Sequence, residues 1–152
     1  MKVEFVEFNN EHKKKLNTWQ DIETSHGENG INEFVVASGT KLGDYIEYFS
    51  RETNITSKVA IDNGEIVGFV CYVINEDASA HVEIMGTNPN CRGKGYARKI
   101  LEKLKEDLNK NWGVKKITLA VNKRNKQGIK SFSKFAKGNS EHSSENYIGL
   151  EL

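Results

Sequence analysis

Residues 82–101 constrain the fold of this chain more than any other stretch: Val-Glu-Ile-Met-Gly-Thr-Asn-Pro-Asn-Cys-Arg-Gly-Lys-Gly-Tyr-Ala-Arg-Lys-Ile-Leu. Val82 to Met85 is apolar and β-prone apart from one acid, Glu83. Asn88 to Gly95 is turn chemistry: Asn, the only Pro of the chain, Asn again, then two glycines. Apolar residues then recur at Ala97, Ile100, Leu101, Leu104 and Leu108, the spacing of one helix face. A strand must therefore run through a Gly-rich loop into a helix N-terminus.

That arrangement suits an anion. The first amides of a helix have no intrahelical partner, and the helix dipole favours negative charge there. Gly93 and Gly95 allow the backbone close to a bulky ligand, and Arg92, Lys94, Arg98 and Lys99 add positive charge. A pyrophosphate is the natural guest. Two nucleotide motifs fail. A Walker A loop needs Ser or Thr after Gly-Lys, and Gly95 follows Gly93-Lys94. A Rossmann fingerprint needs a third small residue where Arg98 stands, and an acid where Lys115 and Lys116 stand. A tight turn with glycines for packing alone is the remaining alternative.

The rest of the chain sets the frame. Its 152 residues predict one domain, 1–152, with room for one good core. With 37% hydrophobic and 28% charged residues the composition is that of an ordinary globular protein. A net charge of +1 gives no global electrostatic case for nucleic acid or membrane binding. No apolar run approaches the roughly 20 residues a membrane span needs, and Glu4 and Glu7 argue against a signal peptide. Cys71 and Cys91 form no metal or redox motif, so a cytoplasmic location is expected.

In order, Lys2 to Phe8 predicts a strand and His12 to Gln20 a short helix burying Leu16 and Trp19. Asp21 to Asn32 has the composition of a loop, Phe34 to Ala37 is a short apolar patch, and Asp44 is placed to N-cap a helix carrying Tyr45, Ile46, Tyr48 and Phe49. From Ser57 the pattern is regular. Lys58–Ile61 and Ile66–Ile74 flank the Asn63-Gly64 turn of a hairpin, the second strand apolar enough to be buried on both faces. Ala80–Gly86 returns antiparallel, and the pivotal helix runs to about residue 111, ended by Trp112-Gly113. A strand at Lys116–Val121 and a helix at Asn125–Lys137, with Ile129, Phe132 and Phe135 inward, follow. Gly138 to Glu145 predicts loop or weak strand, and Tyr147–Leu152 a last strand. The layout is α/β with a mixed sheet.

Arg92-Gly93-Lys94-Gly95-Tyr96-Ala97 resembles the Arg/Gln-x-x-Gly-x-Gly/Ala motif of the GCN5-related N-acetyltransferases, and Asn88-Pro89-Asn90 resembles the lead-in to that loop. The resemblance covers about residues 58–137, is strongest at 82–104 and is thin before residue 55. It implies a single-domain fold with a six- or seven-stranded mixed sheet, helices on both faces, and a splay between the fourth and fifth strands that takes acetyl-CoA as cosubstrate. Carried over by position, the amides of Arg92, Gly93, Lys94, Gly95, Tyr96 and Ala97 would hold the pyrophosphate. Met85, Gly86 and Thr87 would pair with the pantetheine arm, and Gly86 would sit at a strand bulge that points an amide at the thioester carbonyl. Asn125, Gly128 and Phe132 would touch the cofactor. Phe132 stands where the family carries a Tyr that protonates the leaving thiolate, and the Gly-Phe ending of that motif is missing at Ala136-Lys137.

The implied reaction is attack of a primary amine on the acetyl thioester, without a covalent enzyme intermediate and with Cys91 a bystander. An amine with a pKa near 10.4 is only about 0.04% neutral at pH 7, so a base is useful. Glu83 is the first candidate, with a hydrogen-bonded strand carboxylate as the alternative reading; His81, on the same face by alternation, is the second. Gly86 or Met85 would supply the oxyanion amide, and Tyr147 is a candidate proton source from the last strand. Residues 11–52 would form the acceptor side, where Asp21, Glu23, Glu28, Glu33, Asp44 and Glu47 favour a cationic amine. The expected partner is a small-molecule or peptide amine, with no nucleic acid or membrane, for a monomer or homodimer without metal. The alternative function is a catalytically weakened CoA-binding sensor or interaction domain.

Overall fold

Asn63 and Gly64 both take positive φ, 53° and 79°, the conformation that matches a two-residue hairpin to the twist of its strands. They join β2 (Thr56–Asp62) to β3 (Glu65–Ile74) in the computed structural model, which describes residues 1–26 and 40–152. β1 (Glu4–Glu7) pairs with the outer side of β2. β4 (Ser79–Thr87) returns antiparallel along β3. A turn of 3-10 helix at Pro89–Cys91 leads to α3 (Tyr96–Trp112), and β5 (Lys116–Asn122) then lies parallel to β4. After α4 (Lys126–Phe135), the two-residue β6 (Gly138–Asn139) and β7 (Tyr147–Glu151) complete a seven-stranded sheet in the order β1-β2-β3-β4-β5-β7-β6. The mixed sheet and its strand count follow the expectation.

Helices cover both faces. On one face Ile100, Leu101, Leu104 and Leu108 of α3 pack on Val67, Val70, Val82, Ile117 and Leu119, with Phe132 and Phe135 of α4 at the margin. On the other, α1 (Asn10–His26) and α2 (Leu42–Thr53) bury Leu16, Trp19, Leu42 and Ile46 against Val59, Phe69 and Cys71. β3 lies between the two cores, with Ile66 through Tyr72 buried, which explains its unbroken apolar run.

Three local expectations are corrected. Residues 21–26 continue α1 instead of opening a loop. The rest of the expected loop, the Phe34–Ala37 patch and the acids Glu28 and Glu33 lie outside the described residues. Asp44 is not the N-cap of α2: the cap position is Lys41, and Asp44 sits in the first turn, where an acid suits the helix dipole. The capping is done from a distance, because Asn17 Oδ1 on α1 accepts the Asp44 amide at 3.1 Å. The β4 bulge is also not at Gly86, which pairs in regular register with Phe69. Cys71 pairs with Ile84 and Tyr72 with Val82, so the unmatched residue is Glu83.

That bulge changes which way β4 faces. Ala80 and Val82 belong to the α3 core, whereas Ile84, two residues on, belongs to the α1–α2 core. A regular strand would return the same face after two residues; one extra residue reverses it. Met85 consequently packs on the α3 side.

Candidate active site

The parallel ladder between β4 and β5 ends at Val82–Leu119. Beyond it the strands part: β5 continues with β7 alone, pairing Ala120 to Asn122 with Gly149 to Tyr147. Among the described residues, β4 from Ile84 to Thr87 has a ladder partner only in β3. A cleft of about 770 Å³ opens at this splay. One wall is the end of β4 and the loop into α3, with Met85, Gly86, Thr87, Arg92, Gly93, Gly95, Tyr96 and Ala97. The other is α4 with its N-cap, through Asn125, Gly128 and Phe132. Eleven residues expected at the cofactor thus line one cleft, although they come from two stretches separated by α3 and β5. Lys94 is the expected cofactor residue that does not line it.

Local chemistry builds both walls. Asn88 is buried and holds the loop from inside: its Nδ2 donates to Ile66 O at 2.8 Å, and its Oδ1 accepts from Asn90 N at 2.9 Å. Gly93 and Gly95 have φ of 76° and 84°, and a Cβ on either would meet nothing within 4 Å. Open space beside a helix N-terminus is what a cradle for a pyrophosphate requires. On the opposite wall Asn125 caps α4, with Oδ1 accepting from Gly128 N at 2.9 Å. A Cβ on Gly128 would stand 2.6 Å from Asn125 Nδ2. The glycine is therefore explained by the cap lying on it, and it falls in the first turn, not mid-helix.

Several lining residues were not expected at the cofactor. Lys130 and Lys134 bring basic groups to the cleft, together with Ser131 and Cys91, and join Arg98, which was expected to add charge at the turn. Lys130 and Lys134 stand one turn apart on α4; only its orientation against β5 reveals which face borders the cleft. The Cys91 thiol is pushed up by burial first and by Glu65 second.

The candidate base is not among the residues that line this cleft. Glu83 stands in the bulge, and burial pushes its carboxyl above the usual range while His142 acts in the opposite direction. His81, the second candidate, donates to or accepts from Thr118 Oγ1 at 2.7 Å across the last paired rungs of β4 and β5. Its ring stacks on that of His142 with centroids 4.0 Å apart. Burial and His142 hold its pKa down. Sequence reasoning missed His142, which sits in the segment expected to be loop or weak strand. Tyr147 starts β7 opposite Asn122, 38% exposed, and does not line the cleft. Of the acids on the acceptor side, Glu47 is matched within the helices by Lys13 at 3.2 Å and Arg51 at 2.8 Å.

Comparison with known proteins identifies the family and the fold. The model of the acetyltransferase (GNAT) family matches residues 18–136, and the chain belongs to that family. The fold is shared with an N-acetyltransferase (PaiA) of Thermoplasma acidophilum solved with coenzyme A, at 17% identity and TM-score 0.70, covering 99% of this chain and 98% of that one. Aminoglycoside acetyltransferase AAC(6')-Ib, also with coenzyme A, matches at 14% identity and TM-score 0.72 over 99% and 94%. The dodecameric spermidine N-acetyltransferase of Vibrio cholerae matches at 13% and 0.65 over 99% and 92%. No curated protein sequence matches the chain. Among the described residues no helix is long and apolar enough to cross a membrane.

Proposed function

We propose that the chain is an acetyl-CoA-dependent N-acetyltransferase that passes an acetyl group to a primary amine by direct attack on the thioester. The observation that carries this reading is the cleft itself. It joins an open strand edge at Met85–Thr87 to a glycine-lined helix N-terminus, so one extended thioester can meet both. The amides from Arg92 to Ala97 hold the pyrophosphate, with Arg98, Lys130 and Lys134 supplying further positive charge. The β4 backbone at Met85 and Gly86 pairs with the pantetheine arm and donates to the oxyanion.

The acceptor enters from the α1–α2 side of the splay, where Glu83 stands. A carboxyl raised by burial is a better proton acceptor than an ordinary one. It takes a proton from the ammonium acceptor and passes it to solvent, the neutral amine attacks the carbonyl carbon, and the carbon–sulfur bond breaks as the tetrahedral intermediate collapses, the second nitrogen proton going to the freed carboxylate. Phe132 lines the cleft and has no proton to give, and Tyr147 stands outside the lining. The thiolate therefore leaves as an anion, which an ordinary thiol pKa near 8.5 permits. Cys91 takes no acetyl group: burial favours its neutral thiol over the nucleophilic thiolate.

Thermal melting with acetyl-CoA and thiol release across a panel of amines test the reading. A rise in Tm with turnover on at least one amine is expected. Stabilisation without turnover on any amine would leave the CoA-sensor alternative, and no stabilisation at a ligand excess of about 100 Kd, where about 2.7 kcal/mol is due, would remove cofactor binding.

A further inference from the structure

From Lys123 to Ser140 the chain carries six cations, Lys123, Arg124, Lys126, Lys130, Lys134 and Lys137, and no acid, although its net charge is only +1. Lys126, Lys130 and Lys134 recur at every fourth residue of α4, so they share one side of the helix. That arrangement costs stability. Like charges one turn apart repel, and Lys126 occupies the first turn, where the helix dipole disfavours a cation. α3 partners its cations instead: Arg98 and Lys99 meet Glu102 at 2.9 and 3.6 Å, and Lys103 meets Asp107 at 3.2 Å. Among the described residues Lys130 and Lys134 form no ion pair, yet both line the cleft. Two unpaired positive charges at the wall of a cavity suit an anion from outside the chain.

The walls place that anion. One wall runs from the β4 edge at Met85–Thr87 through the glycine cradle to Arg98. The guanidinium carbon of Arg98 stands 5.7 Å from the centroid of the Phe135 ring. The start of α3 and the last turn of α4 therefore meet at the helix end of that wall, not at the strand edge. Lys134 directly precedes Phe135, and Lys130 stands one turn before Lys134. CoA bears a third phosphate on the 3′ carbon of its ribose, and the ribose hangs on the side of the pyrophosphate opposite the pantetheine arm. With the arm on β4 and the pyrophosphate in the cradle, the ribose emerges toward Arg98 and the lysine side of α4.

We propose that Lys130 and Lys134 form a second anion site, for the ribose 3′-phosphate, through which the cleft selects CoA over a donor that lacks this group, dephospho-CoA. The proposal rests on the acetyl-CoA reading of the cleft. A phosphate monoester carries roughly −1.5 to −2 charges at pH 7, enough to match two ammonium groups and to relieve their repulsion within α4. A lysine ammonium is a point charge with rotatable donors on a flexible stem, suited to a phosphate at the open end of a cleft. Arg98 is already engaged by Glu102, so the selection falls to the lysines.

Calorimetry of CoA and dephospho-CoA with the wild type, Lys130→Gln/Lys134→Gln and Lys126→Gln tests this without turnover. CoA is expected to bind the wild type about tenfold more tightly than dephospho-CoA, and that preference should shrink as salt is raised. In the double variant it should fall to about twofold or less. Lys126→Gln controls for the diffuse charge of the helix, because Lys126 does not line the cleft, and the wild-type preference should persist in it. Equal affinity of the wild type for the two ligands overturns the proposal. So does a double variant that keeps the wild-type preference, or a Lys126→Gln that loses as much of it as the double variant. Each of those results leaves the acetyl-CoA reading standing, because CoA still binds. Binding of neither ligand by the wild type removes that reading, and this site with it.

Discussion

Tyr96 Oη donates a 2.6 Å hydrogen bond to Asp62 Oδ2, tying the first residue of α3 to the last residue of β2 across 34 positions of sequence. The loop that forms one wall of the cleft is thereby fastened at both ends: at its start by buried Asn88 and at its finish by this phenol. The bond is mutual in its effect. It lowers the Asp62 carboxyl and pushes the Tyr96 phenol up to about 12.

Tyr96→Phe should remove that fastening in a pH-dependent way. A carboxyl lowered in the folded state stabilises above its ordinary range, and the contribution is lost as pH falls through the lowered value. The Tm of Tyr96→Phe is expected to lie below that of the wild type at pH 7, with the gap closing as Asp62 is protonated in acid. A gap that stays constant from pH 7 to pH 2 would mean that the hydroxyl contributes independently of the Asp62 charge.

Asn88→Ala strips the other end of the loop. The carbonyl of Ile66 and the amide of Asn90 both lose their partner in a site that is 8% exposed. Two such losses cost about 3 kcal/mol, a fall of about 10 °C in Tm for a chain of this size. Chemical denaturation of the variant checks the figure, and a loss below about 0.5 kcal/mol would contradict the bonding described.

The strand–loop–helix pivot was legible because its signals are local: glycines where φ is positive and apolar residues at helical spacing. What sequence missed depends on residues far apart. The acids and hydroxyls of residues 21–26 have loop composition, yet the helix that buries Leu16 and Trp19 carries them along. Asp44 has the chemistry of an N-cap, but Asn17 occupies the amide that matters. Gly86 drew attention as a bulge site, whereas the bulge is set by the register between β3 and β4 and falls on Glu83. His142 could not be placed without knowing that Gly149 admits the loop across β7.

Gly95→Val separates backbone strain from loss of the cradle. Any β-carbon at φ 84° is strained, by about 1–2 kcal/mol, although space around it is open. Gly113→Val is the matched control: φ is 66°, its Cβ also meets nothing, and it lies at the far end of α3. Both variants should lose similar stability by denaturant titration. Only Gly95→Val should weaken acetyl-CoA in calorimetry, by about tenfold or more, which is 1.4 kcal/mol or more. Equal affinities for the two variants would take the pyrophosphate away from this loop.

Phe132→Tyr tests how the thiolate leaves. If departure is unassisted in the wild type, a phenol at this lining position should raise kcat, and most clearly below about pH 8.5, where an ordinary thiolate prefers a proton. Tyr147→Phe should change kcat little, since Tyr147 does not line the cleft. The reverse pattern, with Tyr147→Phe slow and Phe132→Tyr unchanged, would make Tyr147 the proton donor.

Glu83→Gln should cost rate in a window set by two titrations. Below the raised midpoint of Glu83 the wild type already holds a protonated, inactive carboxyl, so the variant loses little there. Near the amine's own pKa, about 10.4 for a lysine-like acceptor, the amine needs no base and the two enzymes converge again. Between these limits the ionised carboxylate contributes, and a general base is worth about 10²–10⁴-fold. The ratio of wild-type to variant kcat/KM is therefore expected to rise with pH through the carboxyl range, hold, and then fall. A ratio that is flat across pH 5 to 10 would leave Glu83 a bulge residue with no part in proton transfer.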